Sequence, residues 1–254
     1  MSSILAIDSG NSNIKWGLYS DDQWLKQGNV FYKNVSILEN EFIKISRPTF
    51  IIISHVARDE TKNQINNLIS LWSTKPQWLC ASGSRCSVIN GYTNPRQLGS
   101  DRWAALIAAW KIEKKPCLVI NTGTAVTIDV LSESGKFLGG VILPGFHLMT
   151  KSLMAGTQLT NIELGSYEDF PANTENAIQT GMLHCILGAI DRMYNLLLSN
   201  ANLVSANCII SGGNSSLLIP FFKLPIKVIN NLVLEGLIIV ANDTLKNSES
   251  DFLL

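Results

Sequence analysis

The chain has 254 residues, 20 Lys+Arg against 20 Asp+Glu, and 16% charged beside 46% hydrophobic residues. A net charge of zero gives no field for a phosphate backbone, which argues against a dedicated nucleic-acid binder, and the apolar content argues against a disordered chain. A chain of this length buries about three quarters of its unfolded surface and suits one large domain or two smaller ones.

Taken in order, Ile4 to Asp8 is a short apolar strand ending in an acid, and Ser9-Gly10-Asn11-Ser12-Asn13 has the chemistry of a turn. Ile14 to Tyr19 and Trp24 to Val30, separated by Asp21-Asp22, complete a three-stranded meander. A helix is predicted over 35–45. Thr49 to Ser54 is a β-branched and aromatic run suited to a buried parallel strand. Ile65, Leu68, Ile69 and Trp72 place a helix over 58–72, and Trp103, Leu106, Ile107 and Trp110 place another over 101–114.

After Lys114-Lys115-Pro116 the pattern restarts. Strands are predicted over 117–121, 125–131 and 136–143, with turns at Thr122-Gly123-Thr124 and Ser132 to Gly135. A long helix over 174–199 follows, then a strand over 206–210 ahead of Ser211-Gly212-Gly213-Asn214, a short strand over 226–229 and a helix over 232–245. The two meanders read as a duplicated architecture, so the expected domains are 1–115 and 116–254. The long helix carries a broad apolar face (Ile178, Met182, Ile186, Ala189, Met193, Leu197) compatible with a dimer surface.

Five cysteines, an odd number with no C-x-x-C spacing, give no zinc or thioredoxin-like signal; Cys117 and Cys208 read as buried thiols. Asp8 arrives too soon for the apolar stretch of a signal peptide, and no run of about 18 apolar residues predicts a membrane helix. The expectation is a cytoplasmic protein.

Three small-residue turns stand at strand ends. At Asp8 to Ser12 a carboxylate can bind Mg²⁺ while glycine admits backbone amides to phosphate oxygens. The bland account is an ordinary hairpin with an Asx-turn. Asn121-Thr122-Gly123-Thr124 occupies the equivalent place in the second half, and Ser211 to Asn214 supplies a third. Between Tyr92 and Trp103, a loop with Pro95 and Gly99 runs into a helix beginning at Asp101. Asp101 could be a simple N-cap and Arg102 its ion-pair partner. The same residues could activate a hydroxyl and hold an anionic substrate. His55 reads as a satisfied structural histidine at a strand end, and His147, after Pro144-Gly145, as a candidate site-lining residue. Trp72, Trp78, Trp103 and Trp110 read as core.

The three turns together resemble the acetate-and-sugar-kinase, heat-shock chaperone and actin superfamily. No Walker sequence is present. Asp8-x-Gly10-Asn11-Ser12, Tyr92-x-x-Pro95-x-x-Leu98-Gly99-x-Asp101-Arg102, Gly123-Thr124-Ala125-x-Thr127-x-Asp129 and Gly139-Gly140-x-Ile142-x-Pro144-Gly145 are similar to type III pantothenate kinase over nearly the whole chain. That resemblance implies an α/β fold of two ribonuclease-H-like, actin-like ATPase domains with a nucleotide cleft between them. It further implies ATP-dependent phosphorylation of pantothenate, the first step to coenzyme A, with no nucleic-acid or membrane partner. Asp8, Ser9, Gly10, Asn11, Ser12, Asn13 and Lys15 would form the first phosphate loop, with Asp8 near Mg²⁺; Gly123 and Thr124 would form the second. Tyr92, Gly99, Ser100, Asp101 and Arg102 would bind pantothenate, with Asp101 as catalytic base. Thr174 would reach the site from the partner subunit of a homodimer. Asn121 departs from the family, which carries an Asp there as ligand to a monovalent cation, K⁺ or NH₄⁺. The alternative is a catalytically weak or silent accessory or regulatory protein of the same fold; Asn121 alone supports it.

Overall fold

The computed structural model describes residues 3–158, 163 and 165–251. The chain opens as a meander of β1 (Ser3–Ser9), β2 (Asn13–Ser20) and β3 (Gln23–Phe31), antiparallel throughout. Asp21 and Asp22 turn the β2–β3 hairpin, both with positive φ (50° and 59°), the twist that suits a tight hairpin. Helix α1 (Ser36–Ile43) leads to β4 (Phe50–His55), which lies parallel to β1; α2 (Asp59–Ile69) leads to β5 (Pro76–Trp78), parallel to β4. The sheet order is β3-β2-β1-β4-β5.

Burial explains why β1 and β4 read as continuous apolar runs. Leu5, Ile7, Ile51 and Ile53 pack with Trp16, Leu38, Phe42, Ile65, Leu68 and Trp72 on one face of the sheet. Ala6 and Ile52, of opposite parity, are also fully buried. Strands covered on both faces have no polar alternation to show. The Trp16 and Phe42 rings meet edge-on at 5.3 Å.

A short antiparallel pair, β6 (Ser84–Arg85) and β7 (Val88–Asn90), precedes α3 (Ser100–Glu113), whose C-cap Lys114 is left-handed. The second unit begins at Lys115. It contains β8 (Cys117–Thr122), β9 (Ala125–Leu131), most of β10 (Lys136–Pro144), α4 (Phe146–Gly156), α5 (Thr174–Ala201), β11 (Asn207–Ser211), α6 (Ser215–Leu218) and β12 (Ile226–Val228). Its strands run β12-β11-β8-β9-β10, the same topology as β5-β4-β1-β2-β3. The expected duplication of architecture is therefore present in the strand order.

Two features differ from expectation. The final helix, α7 (Leu232–Asp251), was placed with the second half, yet it belongs, among the described residues, with residues 3–114 and Gly135–Phe137 in the first unit. Helix α7 packs on α3, β1 and β4. The apolar face of α5 is also used differently. Met182, Ile186 and Leu197 are buried in the second unit's own core, and Ile178, Ala189 and Met193 pack against it. Sheet contact thus accounts for that stripe without a dimer. Cys117 and Cys208 are fully buried, as predicted, and burial pushes the Cys208 thiol up to about 12. No helix among the described residues is long and apolar enough to cross a membrane.

Candidate active site

In the first unit, the ladder brings Asp8 opposite Lys15 on β2 and Ser54 on β4, and sets Ser9 opposite His55. The turn between β1 and β2 closes when Gly10 N–H donates to the Asn13 carbonyl at 3.2 Å. Asn11 and Ser12 at its tip are exposed, whereas Ser9 is fully buried. Asp8 keeps part of its surface accessible, but its Oδ1 is buried with no hydrogen-bond partner among the described residues. Burial, and then the nearby Asp101, raise its pKa to about 7, against the lowering effect of Lys15 and of a hydrogen bond from Ser54.

The second carboxylate arrives on α3. Gly99 is the N-cap residue, and the helix starts at Ser100. Asp101 is therefore inside the first turn and not the N-cap. Its Oδ1 accepts the Arg102 N–H at 2.8 Å. A Cβ at position 99 would lie 2.5 Å from that oxygen, so glycine there leaves room for the carboxylate. Burial raises the Asp101 pKa, against the lowering effect of the Arg102 N–H and the Arg102 charge. Ser100 Oγ is 3.0 Å from Ser54 Oγ and accepts the His55 N–H at 3.0 Å. This links the end of β4 to the start of α3.

Arg102 is only 6% exposed. Its Nη1 donates to Tyr92 Oη at 3.0 Å, and its guanidinium lies 5.7 Å from the ring centres of both Tyr92 and Phe137. Tyr92 is held in turn by its N–H donating to Asn90 Oδ1, and Asn90 Nδ2 donates to the Pro95 carbonyl. Arg102 is thus fixed on two aromatic rings, a geometry that presents a pre-oriented cation to an anionic or polar group.

In the second unit, the turn after β8 closes through Gly123 N–H donating to the Ala125 carbonyl, and Gly145 N–H donates to the Thr124 carbonyl. Thr122 Oγ1 donates to the Ser211 carbonyl at 3.0 Å, Asn214 N–H to the Thr122 carbonyl at 3.1 Å, and Asn214 Nδ2 to the Gly123 carbonyl at 3.5 Å. The second and third glycine turns therefore abut. Gly212 (φ +105°) is obligatory here: a Cβ would meet the Thr122 carbonyl oxygen at 2.5 Å. Asn121, half-buried, lies opposite Thr127 and Ser211 in the ladders.

Thr174 is exposed in the first turn of α5, beside the N-cap Asn173, whose side chain accepts the Asn176 N–H. It lines a groove of about 600 Å³ with Pro144, Met149, Leu153, Ile178 and Met182. His147 is exposed on α4.

The predicted residues thus fall into two groups. Asp8 to Lys15, Tyr92 and Gly99 to Arg102 share the first unit; Asn121, Gly123, Thr124 and Thr174 share the second. Ser54 and His55 were not singled out for the site. Their only sequence signal is a polar pair ending an apolar strand.

The donor set fits a hard divalent cation. Among the described residues no cluster of three or more His, Cys, Asp or Glu could enclose a metal. One buried carboxylate oxygen lacking a partner suits a cation that keeps water and phosphate oxygens for its other positions.

The sequence pattern described as "Type III pantothenate kinase" matches residues 4–196. A "Type III pantothenate kinase" of Nitrosospira multiformis is 43% identical over 241 residues, 95% of this chain and 92% of that one. One from Nitrosomonas eutropha is 42% identical over 242 residues, 94% of each. Among solved structures, the Lmo2764 protein of Listeria monocytogenes aligns with a TM-score of 0.54 at 13% identity, over 97% of this chain and 99% of that one. MreB 5 of Spiroplasma citri bound to AMPPNP aligns at 0.50 and 12%, over 99% of each. These two share the fold, an α/β arrangement of the actin-like and sugar-kinase type. With the Tyr92 to Arg102 segment and the Asp8 turn inside the matched span, the chain belongs to the type III pantothenate kinase family.

Proposed function

We propose that this chain transfers the γ-phosphoryl group of ATP to pantothenate, the first step of coenzyme A biosynthesis, with Asp101 as general base. Family membership supports the reaction. One structural observation carries the base assignment: Asp101 is a carboxylate with raised pKa, fixed by a main-chain N–H beside an arginine already locked on two rings. A raised pKa brings a carboxylate nearer the working pH, where it is a better proton acceptor.

In this reading Asp8, Ser9, Gly10, Asn11, Ser12, Asn13 and Lys15 form a first phosphate loop, and Gly123 and Thr124 form a second. Tyr92, Gly99, Ser100 and Arg102 hold pantothenate, Arg102 facing its carboxylate or polar groups. Asp101 takes the proton of the primary hydroxyl as its oxygen forms a bond to the γ-phosphorus; the bond to the β–γ bridging oxygen breaks, and ADP leaves. Positioning and charge stabilisation supply most of such a barrier reduction. Asp8 would hold a Mg²⁺ ion, which would supply charge neutralisation on the phosphates. Lys15 and the main-chain amides of both turns share that role.

Asn121 offers an amide oxygen in place of a carboxylate, so its K⁺ or NH₄⁺ site is a weak one. A homodimer in which Thr174 of the partner subunit completes the site is consistent with that residue's exposed position and with the exposed apolar residues Val141, Ile142 and Leu148 of the same unit.

The test is Asp101→Asn. Turnover should fall by about 10²- to 10⁴-fold, the usual worth of a positioned base, with ATP binding retained. Near-normal turnover would remove Asp101 from this role.

A further inference from the structure

His55 sits where the two carboxylate-bearing segments meet. Its Nδ1 is 2.9 Å from Ser9 Oγ. Ser9 Oγ is in turn 3.2 Å from Tyr32 Oη, and the Tyr32 hydroxyl donates to the Gly10 carbonyl. Through its main chain, His55 donates to Ser100 Oγ at 3.0 Å. Ser9 and Gly10 follow Asp8, and Ser100 precedes Asp101. One residue therefore touches both segments, by ring and by backbone.

The protons along this chain can be assigned by counting. Tyr32 has one hydroxyl proton, given to Gly10, so its oxygen accepts from Ser9. Ser9 has one proton, given to Tyr32, so its oxygen accepts from His55. Nδ1 must then carry the ring proton, leaving Nε2 as a bare lone pair. Nε2 is buried, with no partner among the described residues, and the ring is packed edge-on against Trp78 at 5.7 Å. The opposite tautomer would bury an N–H with nothing to receive it, a costly arrangement. Burial and the neighbouring Lys62 hold the His55 pKa below its ordinary value, which agrees with a neutral ring.

We propose that His55 is a positioning residue: as the Nδ1–H tautomer it aims Ser9 and, through Tyr32, the Gly10 carbonyl of the first phosphate turn, while its backbone anchors the helix start that carries Asp101. The proposal rests on the assignment of Asp8 to Lys15 to the ATP phosphates.

Side-chain geometry offers a sharp test in the full-length enzyme. Asn places its amide nitrogen the same number of bonds from Cα as Nδ1; Gln places its own where Nε2 stood. His55→Asn should stay within about threefold of the parent in the KM for ATP. His55→Gln and His55→Leu should raise it by roughly five- to tenfold, the worth of one buried hydrogen bond, with the KM for pantothenate nearly unchanged. Equal behaviour of Asn and Gln, equal rises in both KM values, or no rise in any variant would overturn the proposal. Tyr32→Phe provides a variant that leaves the ring and the Ser100 contact in place. It should raise the KM for ATP similarly, and adding it to His55→Leu should cost nothing more; additive effects would contradict a single chain. Asp8→Asn, assayed in parallel, separates the two levels. If it abolishes turnover while the His55 variants are silent, His55 alone loses its role. If it leaves turnover and the KM for ATP untouched, the phosphate-turn assignment fails and takes the proposal with it.

Discussion

Asp8 stores an electrostatic cost that its ligands would relieve. Its folded pKa of about 7 lies above the ordinary 3.8, so the folded protein holds a proton that the unfolded chain has released between those values. Stability from this group therefore falls as pH rises from about 4 to 7, and the cost is full above pH 7. Asp8→Asn removes it. In the absence of nucleotide and metal, the variant should be more stable than the parent by about 1–2 kcal/mol at pH 8, discounting for the partial exposure of Asp8, or some 2 to 4 °C per kcal/mol in Tm. The gain should vanish near pH 4, and activity should be lost. Thermal melts across that pH range check it; an equal gain at both ends would contradict the burial of the charge. Asn121 allows a second residue-level prediction. Asn121→Asp should lower the K⁺ or NH₄⁺ concentration needed for half-maximal activity, read by titrating the salt at fixed ionic strength; an unchanged curve would take position 121 out of any cation site.

The elements of the site are turns held shut by neighbouring backbone, and sequence showed them only in part. Asp8-Ser9-Gly10, Thr122-Gly123-Thr124 and Ser211-Gly212-Gly213 are visible because small residues interrupt apolar runs. That the last two abut is a tertiary fact, made by Asn214 N–H and Thr122 Oγ1 across 89 to 92 positions. The role of His55 was hidden for the same reason: its partners Ser9 and Ser100 are 46 and 45 residues away, and an isolated histidine at a strand end signals nothing. Helix α4 was missed because only Phe146 in it is buried, which leaves no apolar period to read. Gly212 tests this level. Gly212→Ala forces a side chain into positive φ and against the Thr122 carbonyl. It should cost about 1–3 kcal/mol in stability and raise the KM for ATP, since the strain moves the Thr122–Thr124 turn. Denaturant melts and ATP titrations check both, and an unaltered KM would show that the turn does not face the nucleotide.

At the scale of the whole molecule, the duplication was legible because each half begins with a three-stranded meander; the full strand orders β3-β2-β1-β4-β5 and β10-β9-β8-β11-β12 are tertiary facts. The return of α7 to the first unit was not legible, since periodicity announces a helix but not the sheet it covers. On the proposed assignment, the neutral net charge makes recognition of anionic substrates a local matter for Arg102, Lys15 and main-chain amides, without a global positive field. The central claim is tested most directly by ADP release from the purified chain with ATP and Mg²⁺, with and without pantothenate, at several K⁺ and NH₄⁺ concentrations. ADP should form only when pantothenate is present, in step with phosphopantothenate. ADP release without pantothenate, or none under any cation, would contradict the assignment.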